Sequence, residues 1–199
     1  MRKLRVWKKP KSLFYLHSSL VRMEITIENV SIKLLDTLYQ IEKQCFEQEA
    51  FPKQQLAYLL TDYNILRLAA FINGKIAGFV ISRVDIERKV LFGHVITVDV
   101  TTAYRRQGVA QKLLQETEAL FKRRGVKECR LEVRENNVAA LNLYRKLEYQ
   151  EVCKLGKYCS KANGLYLKKN SAINESAKRF TFESLIEIFI GLPFRTFSC

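Results

Sequence analysis

The sequence predicts an α/β fold, a mixed β-sheet with helices on its faces. Three observations carry this. Several short runs alternate apolar and polar residues with the period of a strand. Others repeat apolar residues at helical spacing. The two kinds of segment are interleaved in the order β-α-α-β-β-β-α-β-α-β-β.

Each element follows in turn. Ile25 to Val30 alternates as a strand. Ser31 is placed to cap a helix whose apolar positions are Leu34, Leu35, Leu38, Ile41 and Cys45. Pro52 suits the first turn of a second helix running through Leu60. The run "ILRLAAFINGKIAGFVISRV" reads as a hairpin turning at Asn73-Gly74. A long strand, "VLFGHVITVDV", comes next. Val109, Leu113, Thr117, Leu120 and Phe121 mark one face of a helix that ends before Gly125. In "ECRLEV", Cys129, Leu131 and Val133 share one strand face. Asn136 or Asn137 caps the next helix, which runs through Leu147. "YQEVCKL" and "GLYLKK" close the sheet.

The chain has 199 residues and a formal net charge of +14, which favours a polyanionic neighbour such as nucleic acid, a ribosome or an anionic cofactor. Half of that charge lies in residues 1–22, which carry seven Lys or Arg and no acid. Three readings of this leader stand: a basic arm, a transit-like segment, or a translation start at Met23. The expected domain spans residues 23–169, and residues 170–199 are an extension without an assigned role. The five cysteines are scattered with no C-x-x-C, and there are two histidines, a pattern that argues against a zinc site and for free thiols in a reducing cytoplasm. No apolar run approaches the roughly 20 residues of a membrane span.

One junction carries the chemistry. "YRRQGVAQKLL" (residues 104–114) follows the strand "HVITVDV" and opens a helix. A helix start presents free N–H groups and a partial positive charge, which suits an anion. Gly108 lets a ligand approach the backbone. The amides of Gln107, Gly108, Val109, Ala110 and Gln111, with the guanidinium groups of Arg105 and Arg106, suit a pyrophosphate. Neither a P-loop nor a dinucleotide fingerprint is present.

The pattern R-x-x-G-x-A (Arg105, Gly108, Ala110) after "VITVDV" resembles the acetyl-CoA motif of the GNAT superfamily of N-acetyltransferases. The run "LEVRENNVAALNLYRKLEYQEV" resembles the second signature of its RimI-type branch, the ribosomal-protein and N-terminal amine acetyltransferases, through Asn137, Ala140, Leu143 and Tyr144. The resemblance covers Met23 to Lys169. It implies a mostly antiparallel mixed sheet and acetyl transfer from acetyl-CoA to a primary amine, foremost a protein or peptide N-terminus. It also implies that Val98, Asp99 and Val100 offer backbone groups to the pantetheine and acetyl group, and that Asn137 binds the cofactor. By the same resemblance Glu132 accepts the amine proton and Tyr144 donates to the departing thiolate; no metal is called for. For His94 and Glu49 a purely structural role is favoured over contact with substrate.

Three departures stand out. Glu148-Tyr149 occupies the place of the family's Gly-Phe, Asp99 that of a small residue, and Phe51-Pro52 that of a tryptophan-serine pair. Two rivals remain: an acetyltransferase for lysine, polyamine or antibiotic amines, and an inactive acetyl-CoA-binding adaptor at a ribosome or nucleic acid. The presence of Glu132, Asn137 and Tyr144 speaks against the second.

Overall fold

The computed structural model describes residues 24–159 and 162–170; the leader and most of the C-terminal extension lie outside these. The elements are β1 (Thr26–Asn29), α1 (Leu35–Phe46), α2 (Lys53–Thr61), β2 (Ile65–Ile72), β3 (Lys75–Glu87), β4 (Val90–Val100), α3 (Val109–Arg123), β5 (Glu128–Arg134), α4 (Val138–Lys146), β6 (Gln150–Cys159) and β7 (Ala162–Asn170). This is the order expected from the pattern. The seven strands form one sheet, ordered β1-β2-β3-β4-β5-β7-β6. Only β4 and β5 run parallel; every other pair is antiparallel.

Both faces of the sheet are covered, which is why β2 and β3 read as nearly continuous apolar runs. On one face Leu113, Leu114 and Phe121 of α3 and Leu141 and Tyr144 of α4 pack on Leu68, Val80, Val95, Leu131 and Val133. On the other, Leu38 and Ile41 of α1 and Leu56 and Leu60 of α2 pack on Ile65, Phe79 and Ile81. The predicted apolar face of α3 is buried except for Leu120, which is partly covered, and Leu114 joins it.

Local signals explain most ends. Ser31 accepts the Lys33 N–H and caps a 3₁₀ turn, Ile32–Leu34, that runs into α1. Pro52 stands one residue earlier than expected, in the N-cap position of α2 with φ −54° and ψ 142°. Asn73 (φ 50°) and Gly74 (φ 73°) make the β2–β3 turn left-handed at both centres, as a type I′ hairpin requires. The β3–β4 turn has the same shape at Arg88 (φ 49°) and Lys89 (φ 65°). Neither residue advertises a turn, so β3 runs three residues beyond the expected Val84. Cys45 and Cys129 are thiols outside any disulfide, but Cys153 is disulfide-bonded. Here the expectation of free thiols fails, because sequence spacing does not reveal which cysteines the sheet brings together.

Glu148 explains itself by position. It follows the C-cap of α4 and adopts φ 69°, the left-handed conformation that glycine takes most easily at this place. Its N–H reaches the Arg145 carbonyl at 3.0 Å, and the Tyr149 N–H reaches the Tyr144 carbonyl at 2.9 Å. Tyr149 is then buried as the aromatic of the motif. The side chain at Glu148 costs backbone strain of about 1–2 kcal/mol. Glu148→Gly is therefore expected to raise the melting temperature, by the equivalent of up to about 1 kcal/mol once the glycine's greater unfolded-state entropy is counted. An unchanged or lower melting temperature would contradict this.

Candidate active site

The site begins where the sheet comes apart. β4 and β5 pair over only four positions, Phe92–Glu128 to Val95–Leu131. Beyond them β4 stays with β3 as far as Val100–Gly78, and β5 stays with β7 as far as Arg134–Gly164. The cause lies in β4. Ile81 faces Thr97 while Ser82 faces Val95, so Ile96 is an extra, bulged residue. A bulge bends its strand and ends pairing on one side. The result is a wedge with Val98, Asp99 and Val100 on one lip and Glu132 to Arg134 on the other. Backbone groups on these lips lack the strand partner a continuous sheet would supply.

At its wide end the wedge meets the start of α3. β4 leaves through a 3₁₀ turn, Thr102–Tyr104, into a loop that is left-handed at Arg106 (φ 63°) and Gly108 (φ 85°). Gly108 is the N-cap of α3, and no side chain caps the helix. A Cβ built on Gly108 would meet nothing within 4 Å, so the space over the first turn is open. The first-turn amides of Val109, Ala110 and Gln111 face that space with the positive end of the helix dipole. Arg106 and Gln107 are exposed beside it. Lys146, at the end of α4, donates to Gln111 Oε1 at 2.9 Å and brings a cation there that the sequence pattern did not single out. Arg105 is exposed too, but its side chain folds back on the end of β4. Its Nε donates to the Val100 carbonyl at 3.1 Å, and Nη2 faces Cys45 Sγ at 3.8 Å. The sequence pattern puts Arg105 beside the turn, and here its guanidinium holds the end of β4.

Side chains line the narrow end. Alternation along β5 puts Cys129, Leu131 and Val133 in the core and Glu128, Arg130, Glu132 and Arg134 on the α1–α2 face. Glu132 Oε2 lies 2.8 Å from His94 Nε2, both side chains about one-fifth exposed. The pair bridges β5 and β4 just where they separate. Tyr166 of β7 stands opposite Glu132 in register. Arg134 donates to Glu49 Oε2 at 2.9 Å, tying β5 to the 3₁₀ turn after α1. Arg130 bonds Glu128 and Glu87 and lies over the Phe92 ring at 3.6 Å.

Asn137 caps α4, its side-chain oxygen accepting the Ala140 N–H at 3.2 Å, which leaves its amide NH₂ to be used elsewhere. Tyr144 is buried, with its ring edge-on to Tyr149 at 5.7 Å. Burial, reinforced by the charge of Asp99, pushes its phenol up to about 12. Among the described residues no group of three His, Cys, Asp or Glu could hold a metal ion, and no helix is long and apolar enough to cross a membrane.

Residues 35–149 match the model of the acetyltransferase (GNAT) family. The chain belongs to that family. GNAT enzymes use acetyl-CoA, and this chain is an acetyl-CoA-dependent N-acetyltransferase. It is 29% identical over 153 residues to an N-alpha-acetyltransferase of Sulfurisphaera tokodaii, a match spanning 72% of this chain and 91% of the relative. It is 32% identical over 127 residues to the ribosomal protein bS18 alanine N-acetyltransferase of Escherichia coli K12, over 63% and 81% of the two chains. The solved structure of the ribosomal-protein-S18-alanine N-acetyltransferase from Escherichia coli shares the fold with a TM-score of 0.68 at 24% identity, covering 80% of this chain and all of that one. A chain of the NatC complex bound to Gag peptide and CoA gives 0.69 at 22% identity, covering 75% and 100%.

The elevated phenol is directly measurable. Spectrophotometric titration of the folded protein is expected to show one tyrosine ionising near 12, absent in Tyr144→Phe. Identical titration curves for the two proteins would place the phenol in a more polar setting than described.

Proposed function

We propose that the chain acetylates the N-terminal α-amines of proteins and peptides. The observation that carries this is the His94–Glu132 pair at the mouth of the wedge. It offers a weak base beside the place where an acetyl thioester fits between the lips. An α-amine near 8 is already partly neutral at pH 7, so a weak base suffices, whereas a lysine near 10.4 asks for more. The names of the relatives from Sulfurisphaera tokodaii and Escherichia coli support the same reading.

The phosphates of acetyl-CoA sit on the amides of Val109, Ala110 and Gln111, with Arg106, Gln107 and Lys146 around them. The pantetheine arm fills the wedge as a strand would, bonded to the backbone of Val98 to Val100, with the Asn137 amide at its edge. Arg105 serves this grip indirectly, by holding the Val100 carbonyl and the end of β4. The amine attacks the thioester carbon, its proton passes to Glu132 with His94 as partner, and the carbon–sulfur bond then breaks. Tyr144 stands by the departing sulfur. The sequence reading assumed an ordinary phenol near 10. With the phenol at about 12 and a thiol near 8.5, full proton transfer costs about 5 kcal/mol. Tyr144 therefore helps by donating a hydrogen bond to the forming thiolate, and its raised pKa keeps it protonated for that task.

Residues 23–169 are the catalytic unit in this reading, and the protein works in the cytoplasm. The net charge of +14 supports contact with a polyanionic neighbour, of which the ribosome is the one that presents new N-termini.

A peptide array with acetyl-CoA tests the acceptor, with free N-termini expected to be labelled and internal lysines of N-terminally blocked peptides not. The reverse pattern would overturn the reading. For the mechanism, Glu132→Gln should lower kcat/KM for the peptide by about 10²-fold or more, the usual contribution of a positioned base. Tyr144→Phe keeps the ring and loses one charge-assisted hydrogen bond, so kcat should fall at least about tenfold. In both variants acetyl-CoA affinity, measured by calorimetry, should stay near that of the wild type. Normal turnover in a folded variant would remove that residue from the mechanism.

A further inference from the structure

Two acids that the reaction does not use lie against each other beneath the wedge. Glu42, on α1, is 1% exposed and Asp99, on β4, is fully buried. Glu42 Oε1 accepts the Phe51 N–H at 3.0 Å. Asp99 Oδ2 accepts the Thr97 hydroxyl at 2.9 Å. The two carboxyl groups are within hydrogen-bonding reach of each other, and their remaining oxygens, Glu42 Oε2 and Asp99 Oδ1, find no other donor. The groups facing the pair are Cys45 on the same helix, Arg105 from the loop after β4, and Tyr144 of α4. The Arg105 guanidinium is turned to Cys45 and the Val100 carbonyl. The Cys45 thiol, pushed up to about 11 by burial and by Asp99, is neutral.

Two buried carboxylates with facing oxygens repel each other strongly, and one proton between them turns that repulsion into a hydrogen bond. Burial and mutual repulsion both hold Asp99 well above the usual carboxylate range, and burial raises Glu42. The bonds form a continuous path: Thr97 and Asp99 on β4, Glu42 on α1, then the Phe51 amide in the α1–α2 connection. Asp99 sits between the two residues whose backbone forms the β4 lip. Phe51 and Glu49 belong to the segment that faces the β5 lip through Arg134.

We propose that Glu42 and Asp99 share one proton and act as positioning residues, locking the α1–α2 connection, the acceptor side of the cleft, onto the strand that carries the acetyl group. The proposal rests on the reading of the wedge as the acetyl-transfer site. It accounts for an acid at position 99, where the resemblance leads one to expect a small residue. An apolar pair would be more stable there; the carboxyl pair instead fixes one relative placement of helix and strand.

The sign of the pH dependence follows. In the unfolded chain both acids ionise near about 4. The folded pair keeps a proton to higher pH, so the unfolded state binds fewer protons across that window and stability falls as pH rises through it. Glu42→Gln supplies an N–H to Asp99 Oδ1 and keeps an oxygen for Phe51, so it preserves both bonds without the shared proton. Glu42→Leu removes both.

Four readouts test the idea on the full-length protein. Difference infrared spectra at neutral pH should show a protonated-carboxyl band in the wild type that Glu42→Gln lacks. The melting temperature of Glu42→Gln should gain on that of the wild type as pH rises from about 5 to about 8. Exchange of the Phe51 amide should be faster by about tenfold in Glu42→Leu and near wild type in Glu42→Gln. Peptide KM should rise about tenfold in Glu42→Leu, with the KM for acetyl-CoA within about twofold, and Glu42→Gln should restore the first. Parallel melting curves for wild type and Glu42→Gln, or the absence of the infrared band, would refute the shared proton. Unchanged Phe51 exchange in Glu42→Leu would refute the lock. Infrared, melting and exchange need no acceptor, so they decide the proposal even if the N-terminal acceptor is wrong. Should Glu42→Leu not fold, loss of Phe51 protection with rising pH in the wild type but not in Glu42→Gln carries the same decision.

Discussion

The parting of β4 from β5 governs this molecule. A parallel pair four positions long would be a weak joint on its own, but each strand is held on its far side by a long antiparallel partner. The sheet therefore stays in one piece while its middle opens. The bulge at Ile96 sets where the opening starts, and everything chemical is arranged along it. The uncapped first turn of α3 lies at the wide end, the His94–Glu132 pair at the narrow end, and Tyr144 is buried on the helix face. Core residues of both strands, Val95 on β4 and Cys129, Leu131 and Val133 on β5, pack under α3 and α4 and hold each strand in place on either side of the gap.

Much of the fold was legible because its signals are local. Period-two runs, the Asn73-Gly74 turn, the Ser31 and Asn137 caps and the stop at Gly125 each depend on a few neighbouring residues. Where local chemistry was silent, the reading slipped. Arg88-Lys89 adopts a turn that neither residue favours, and Glu148 takes a conformation that glycine would take. In both places the tertiary structure imposes a backbone shape against the preference of the side chain. The resemblance to GNAT motifs supplied the mostly antiparallel pairing, which periodicity left open although it gave the order of elements.

The site was legible in part. Gly108 and the first turn of α3 stand at the strand-to-helix junction the pattern predicted, because the signals for that junction are local. Side-chain pairings across strands and helices were hidden. Nothing in the sequence says that His94 meets Glu132 across 38 positions, that Lys146 reaches Gln111, or that Glu42 is buried against Asp99. Each depends on register, and on which face of an element meets which neighbour. Arg105 shows the same limit: adjacent arginines in a loop look alike in sequence, yet one points out and the other holds the strand end.

The wedge also bears on molecular recognition. Its lips are strand edges that point inward, shielded from other chains by the sheet they belong to. An open edge on a protein surface invites any extended peptide and with it aggregation. Here the same hydrogen-bonding groups lie inside one sheet, flanked by strands of the same chain on both sides. The fold thus keeps free main-chain groups without exposing an outer edge for them.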